Sequence, residues 1–285
     1  MTNLDDYSPI KSQIPPIIPS DFIRKVLSLH PKHNTLSPMY IERHIDSQLL
    51  EWKNSVHHKP LLLRGARQVG KSSAVRHLSK SFDHFIEVNL EKRPELIALF
   101  EQEKDVRRLA KNISLLYDVP IIEGKTLLFI DEIQISADAI KSLWFFKEDY
   151  PELHVVAAGS LMEFTLKEIG SYGVGRIRSL FMYPLSFDEF LVAQGRQSWI
   201  EEKKIASYDA PLFDALHDEL VKQFRTYILV GGMPASVVAW IETHDYSQCQ
   251  AEQDDIQISY YDDFAKYSSK VDVTLLRNTL QSVVK

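Results

Sequence analysis

The chain has 285 residues, 45% of them apolar, with 33 Lys and Arg against 39 Asp and Glu and a formal net charge of −6. That length accommodates one large domain and a small one, and the acidic balance argues against a surface built chiefly to hold nucleic acid, although a local basic patch would escape that argument. The single cysteine, Cys249, excludes an intrachain disulfide and fits a reducing compartment, and no run approaches the ~20 apolar residues needed to cross a bilayer.

In chain order, residues 1–19 carry prolines at 9, 15, 16 and 19 and read as an extended or disordered arm. Asp5 and Asp6 take the place of a signal peptide's basic start, so a cytoplasmic location is expected. Residues 38–56 have helical spacing at Tyr40, Ile41, His44, Ile45, Leu49 and Leu50. Pro60-Leu61-Leu62-Leu63 reads as a buried strand, and Ser73 to Leu78 reads as a helix.

Between them stands Gly65-Ala66-Arg67-Gln68-Val69-Gly70-Lys71-Ser72, a glycine, four residues, a second glycine, lysine and serine. In that pattern the backbone N–H groups wrap the phosphates of a nucleoside triphosphate. Gly65 and Gly70 permit backbone angles and close approaches that a Cβ forbids, and the following helix offers free N–H donors to an anion. Lys71 would reach the β- and γ-phosphates, the Ser72 hydroxyl would serve Mg²⁺, and Ser73 closes the phosphate-binding set. The plain alternative is a glycine turn between ordinary elements; the strand–loop–helix order favours the phosphate loop.

A second strand is expected over Asp83 to Asn89, and a helix from Asp105 to Tyr117. Thr126-Leu127-Leu128-Phe129-Ile130-Asp131-Glu132 is an apolar run of strand length ending in two carboxylates. It would put charge at the carboxyl edge of a buried sheet, where open α/β sheets bind ligands. Asp131 would hold the Mg²⁺ and Glu132 would polarise the attacking water. A core strand followed by an Asp-Glu turn is the bland alternative. Ile135 to Tyr150 reads as a helix with a core stripe at Trp144, Phe145 and Phe146. His154 to Ser160 reads as a strand, with Ser160 at the same edge as a polar sensor or as an ordinary turn residue. Of the 10 glycines, seven fall at 65/70, 170/173/175 and 231/232. The middle group reads as a mobile loop ahead of a last strand, Arg178 to Tyr183.

These motifs, together with Gly175-Arg176-Ile177-Arg178, Tyr183-Pro184-Leu185-Ser186-Phe187-Asp188-Glu189-Phe190 and Gly231-Gly232-Met233-Pro234, resemble the prokaryotic AAA-superfamily ATPases that carry a C-terminal domain of unknown function. The likeness covers residues 38 to 285. It implies an α/β P-loop NTPase core of AAA type, with a parallel sheet of order 5-1-4-3-2, followed by a small all-helical subdomain. On this reading residues 20–185 are the nucleotide-binding core and 186–285 the helical lid and the start of a C-terminal region. The resemblance makes Arg176 and Arg178 candidates to act on a neighbouring subunit's nucleotide, which would require a homo-oligomer. It puts Pro234 near the adenine, with Tyr40, Ile41 and Arg43 either walling the base pocket or packing in the core. Relatives of this kind continue past the equivalent of Val284-Lys285 with winged-helix-like and often nuclease-like segments. This chain therefore reads either as a truncated form or as one without that module.

From Ser186 onward helices are expected at 186–194, 211–229, 234–242, 247–267 and 273–284. The acidic residues 252–255 and 262–263 read as a solvated helix face. The ten histidines form no metal-site pattern with the cysteine, and no Gly-x-Ser-x-Gly turn is present. ATP over guanine nucleotides follows from the resemblance and from the lack of an Asn-Lys-x-Asp segment. The expected function is Mg²⁺-dependent ATP hydrolysis coupled to conformational change, with an unidentified protein partner. A nucleotide-dependent switch or scaffold with little turnover is the rival. A small-molecule kinase is disfavoured, because Glu132 beside Asp131 suits activation of water.

Overall fold

The computed structural model describes residues 40–160, 175–266 and 272–284. The expected arm at 1–19 and the glycines at 170 and 173 lie outside the described residues. Helix α1 (His44–Asn54) precedes strand β1 (Leu61–Arg64), which runs through the glycine loop into α2 (Lys71–Ser79). Then follow β2 (His84–Asn89), α3 (Ile97–Gln102), α4 (Val106–Tyr117), β3 (Thr126–Asp131), α5 (Ala137–Asp149), β4 (His154–Gly159) and β5 (Arg178–Phe181). The short α3, led in by a 3-10 turn at Pro94–Leu96, is the element of this half that apolar spacing does not suggest.

The five strands form one parallel sheet in the order β2-β3-β4-β1-β5, the expected 5-1-4-3-2 read from its other side. All residues of β3 and β4 are buried, as expected of central parallel strands covered on both faces. Alternate side chains sort into two cores. Leu62, Ile86, Leu128, Ile130, Val155 and Ala157 pack toward α4 and α5, while Leu61, Leu63, Phe129 and Val156 pack toward Trp52 of α1 and Val75 and Leu78 of α2. In the Trp144–Phe146 segment only Phe146 is fully buried; Phe145 is 38% exposed, so the stripe is narrower than expected. The starts of α4 and α5 carry side-chain caps: Asp105 accepts from Arg107 N and Arg108 N, and Ser136 accepts from Ala139 N.

After β5 the chain turns helical: α6 (Phe187–Ala193), α7 (Gln197–Ile205), α8 (Asp214–Val230), α9 (Pro234–Thr243), α10 (Tyr246–Lys266) and α11 (Val273–Val284). Helix α7 is an addition to the five expected helices; its Ile200 packs with Leu191, Leu216 and Leu220 in a small satellite core. A further core joins Ile41, ahead of α1, to Leu185, Phe190, Val230, Val237 and Cys249. Among the described residues no helix is long and apolar enough to cross a membrane.

Candidate nucleotide site

Parallel pairing brings the carboxyl ends of β1, β3 and β4 to one edge. Arg64 lies beside Gly159 and Ile130 beside Ala157, so Gly65, Asp131 and Ser160 emerge together. The loop 65–70 needs its glycines. A Cβ on Gly65 would stand 2.2 Å from the Met182 carbonyl oxygen, and Gly70 caps α2 with φ 97°. Both values exclude an L side chain without backbone movement.

Lys71 Nζ donates to the carbonyls of Gly65 (3.1 Å) and Ala66 (2.8 Å), bending back over the loop. Burial pushes its ammonium below the usual lysine range, the carboxylates of Glu132 and Asp131 oppose that shift, and Arg67 reinforces it. Ser72 Oγ donates to Asp131 Oδ2 at 2.8 Å, so the hydroxyl and carboxylate expected to share a cation already meet. Burial raises the Asp131 carboxyl above its ordinary range, the Ser72 hydrogen bond counters this and neighbouring Glu132 adds to the rise. A buried hard-oxygen pair of this kind suits Mg²⁺. Among the described residues there is no group of three or more His, Cys, Asp or Glu able to hold an ion. A cation here would therefore take its remaining ligands from phosphate and water.

Glu132 follows directly, with φ 54° and ψ 40°. Left-handed backbone at a non-glycine residue costs roughly 1–2 kcal/mol, and such strain concentrates where a side chain must be aimed. Its N–H donates to Asp131 Oδ1 at 3.1 Å, and Gln134 Nε2 donates to Glu132 Oε2 at 2.6 Å. Ser160 is buried at the same edge, one residue past the Arg64–Gly159 pairing level.

Two residues that the sequence reading gave no role belong here. Asn89 ends β2 in register with Asp131, and its Nδ2 donates to Asp131 Oδ2 at 3.2 Å. An Asn at the end of an adjacent strand is a signal that the sequence carried unread. Gln134, which holds Glu132, sits in a 3-10 turn whose geometry no local pattern announces.

Beside the loop lies a cavity of about 450 Å³ whose walls include Tyr40, Ile41, Arg43, Gly70, Met182 and Pro234. Pro234 opens α9 at this wall. Arg43 lines the cavity but its guanidinium is committed: Nε donates to Glu189 Oε1 (3.0 Å), Nη1 to Val69 O (3.1 Å) and Nη2 to Tyr183 O (2.7 Å). Arg43 thus braces the loop rather than remaining free for a base.

Arg176 and Arg178 stand elsewhere. Arg178 pairs with Leu61 at the amino end of β1, three residues or about 10 Å along the strand from the loop edge. Arg176 makes an exposed ion pair with Glu148 at 2.7 Å. Neither is brought to the phosphate loop of its own chain. The acidic face expected on α10 is also corrected at one position. Asp262 is exposed, whereas Asp263 is 3% exposed and paired with Arg67.

A five-stranded parallel sheet with this order, a glycine loop before α2 and an acidic edge on β3 define a P-loop ATPase fold. Residues 57–191 match a family model described as an AAA domain, and residues 221–285 match a domain of unknown function, DUF8612. In that order along the chain, the two matches agree with the resemblance that its motifs carry. A Walker-type ATPase of Pyrococcus abyssi is similar in fold, with a TM-score of 0.53 over 86% of this chain and 81% of that one at 18% identity. No curated protein matches the chain.

Proposed function

We propose that the protein binds ATP with Mg²⁺ and hydrolyses it to ADP and phosphate, using the helical region 186–285 as a lid that responds to the bound nucleotide. The observation that carries this reading is the meeting of Ser72 Oγ and Asp131 Oδ2 beside a glutamate in a strained, aimed conformation.

Lys71 would exchange its two loop carbonyls for phosphate oxygens, which are better acceptors for a buried ammonium. Ser72 and Asp131 would hold the cation, whose charge would offset that of the bound phosphates. Glu132, steadied by Gln134, would accept a proton from the attacking water, and Ser160 would orient that water or the γ-phosphate. The apolar cavity ending at Pro234 has the size and lining of a base pocket. Arg176 and Arg178, placed apart from their own loop, would act on a neighbouring copy's nucleotide in an oligomer.

The test compares binding with turnover. Lys71→Ala should abolish the heat of ATP binding in calorimetry, because the loop loses its only lysine. Glu132→Gln should keep ATP bound and lose roughly 100-fold or more in steady-state hydrolysis. Equal hydrolysis by wild type and Glu132→Gln would remove the role given to that carboxylate. Tight binding without turnover in wild type would favour the switch or scaffold reading.

A further inference from the structure

The loop residues Arg67 and Gln68 are gripped by the last third of α10, a contact that phosphate binding does not require. Arg67 Nη1 donates to both oxygens of Asp263, at 2.6 and 2.7 Å, across 196 positions of sequence. Tyr260 Oη donates to the Arg67 carbonyl at 3.2 Å, and Gln68 Nε2 donates to Ser259 Oγ at 3.0 Å. Ser259, Tyr260 and Asp263 lie within about one helical turn of one another, so one short stretch of the domain of unknown function holds two adjacent loop positions. Gln68 is itself in left-handed backbone, with φ 63°.

The location of the guanidinium gives this grip a consequence. Burial by itself would weaken the charge on Arg67; Asp263, together with Glu132 and Glu91, outweighs it and raises the guanidinium above its ordinary range. Arg67 in turn acts electrostatically on Lys71. It therefore shares the field of the two groups that would face the terminal phosphate, on a loop whose backbone would already be wrapped around that ligand. A planar guanidinium matches phosphate oxygens as well as it matches a carboxylate. A triphosphate adds charge at this end of the site that a diphosphate lacks.

Resting on the triphosphate site proposed above, we propose that Arg67 senses the γ-phosphate and that Asp263 is its positioning residue. With a triphosphate bound, the guanidinium leaves Asp263 for the terminal phosphate, and α10 loses one of the contacts that hold it to the loop. With a diphosphate bound, Arg67 returns to Asp263 and the grip closes. Nucleotide state is thereby delivered to the domain of unknown function by one ion pair.

The experiment uses the full chain with Mg²⁺ and fluorescent forms of ADP and a non-hydrolysable ATP analogue, and reads the ratio of the two dissociation constants. Arg67→Ala should cut the preference for the triphosphate by roughly tenfold, the weight of one charge-assisted hydrogen bond. Asp263→Asn should tighten the triphosphate severalfold and leave ADP unchanged, because a competing anion is gone. A merely structural Asp263 would weaken both ligands alike. In wild type, hydrogen exchange across residues 246–266 should be faster with the ATP analogue than with ADP. This arm stands even where Asp263→Asn fails to fold. Equal effects of the variants on both nucleotides, or identical protection of α10 with either, would overturn the sensing role while leaving ATP binding intact. Wild-type protein that binds neither nucleotide would remove the underlying site as well.

Discussion

Gly65 illustrates how little tolerance the candidate site has at single positions. The Met182 carbonyl stands where a Cβ would fall, and Met182 N also donates to Arg64 O at 2.8 Å, so the contact belongs to the backbone that joins β1 to the chain beyond β5. With φ 148° at this residue, Gly65→Ala combines an unfavourable backbone conformation with a backbone clash. Overlap of this kind is destabilising by about 1–3 kcal/mol or more. A lowered midpoint in urea denaturation together with weaker ATP binding is the expected result; an unchanged midpoint would mean that the loop can shift without loss. Glu132 makes the complementary point. Its strained backbone persists because Asp131 Oδ1 and Gln134 hold it, so Gln134→Ala should lower turnover more than it lowers ATP affinity, as separate rate and binding measurements would reveal.

At the level of elements, the Pro184–Phe190 and Gly231–Pro234 segments form one packing unit. Pro-Leu-Ser-Phe-Asp-Glu-Phe starts α6 with a capping box, in which Ser186 Oγ accepts from Glu189 N and Glu189 accepts from Ser186 N. Gly-Gly-Met-Pro ends α8 and starts α9; Leu185 N donates to Gly232 O, and a Cβ on Gly232 would fall 2.3 Å from Leu185 O. Glu189 also accepts from His44 N and from Arg43, so the same carboxylate caps α6, anchors the start of α1 and, through Arg43, supports Val69 of the loop. Breaking a buried pair by removing one partner costs about 3–5 kcal/mol, and Arg43→Ala should approach that loss in a denaturation experiment.

The pH response of this unit has a definite sign. Burial alone would raise Glu189, but the backbone N–H bonds from Ser186 and His44 and the Arg43 guanidinium outweigh it and hold the carboxyl below the usual range. The unfolded chain therefore takes up the proton first. The contribution of Glu189 is complete above the ordinary glutamate pKa of about 4.3 and is lost as pH falls from there through the depressed native value. Glu189→Gln should flatten the acid limb of stability against pH, and parallel acid limbs for the two proteins would contradict this assignment.

At the scale of the whole molecule, the arginines displaced from their own loop bear on assembly. Arg176 pairs with Glu148 on an exposed surface, where such pairs contribute little and exchange partners readily. If a second copy supplies its nucleotide there, mixtures of Arg176→Ala or Arg178→Ala subunits with Glu132→Gln subunits should regain hydrolysis that neither shows alone. Failure of every mixture to recover activity would confine the reaction to one chain.

Much of the architecture was open to reading because its determinants are contiguous. A parallel strand buried on both faces must be an apolar run, a phosphate loop must place its glycines and lysine within eight residues, and a strand-end carboxylate pair must follow such a run directly. The strands and the chain positions of Lys71, Ser72, Asp131 and Glu132 were therefore legible along the chain, whereas the strand order and the place of Pro234 were implied only by the resemblance to AAA-superfamily ATPases. What only the tertiary structure decided were the long-range pairings: Asn89 onto Asp131, Arg43 onto Glu189 across 146 positions, and Arg67 onto Asp263 across 196. A charged residue on a helix reads as solvated until another element buries it, and periodicity identifies a helix without naming what packs against it. Asp263 became a partner of the phosphate loop because the fold brought α10 there, and no local pattern of residues encodes that approach.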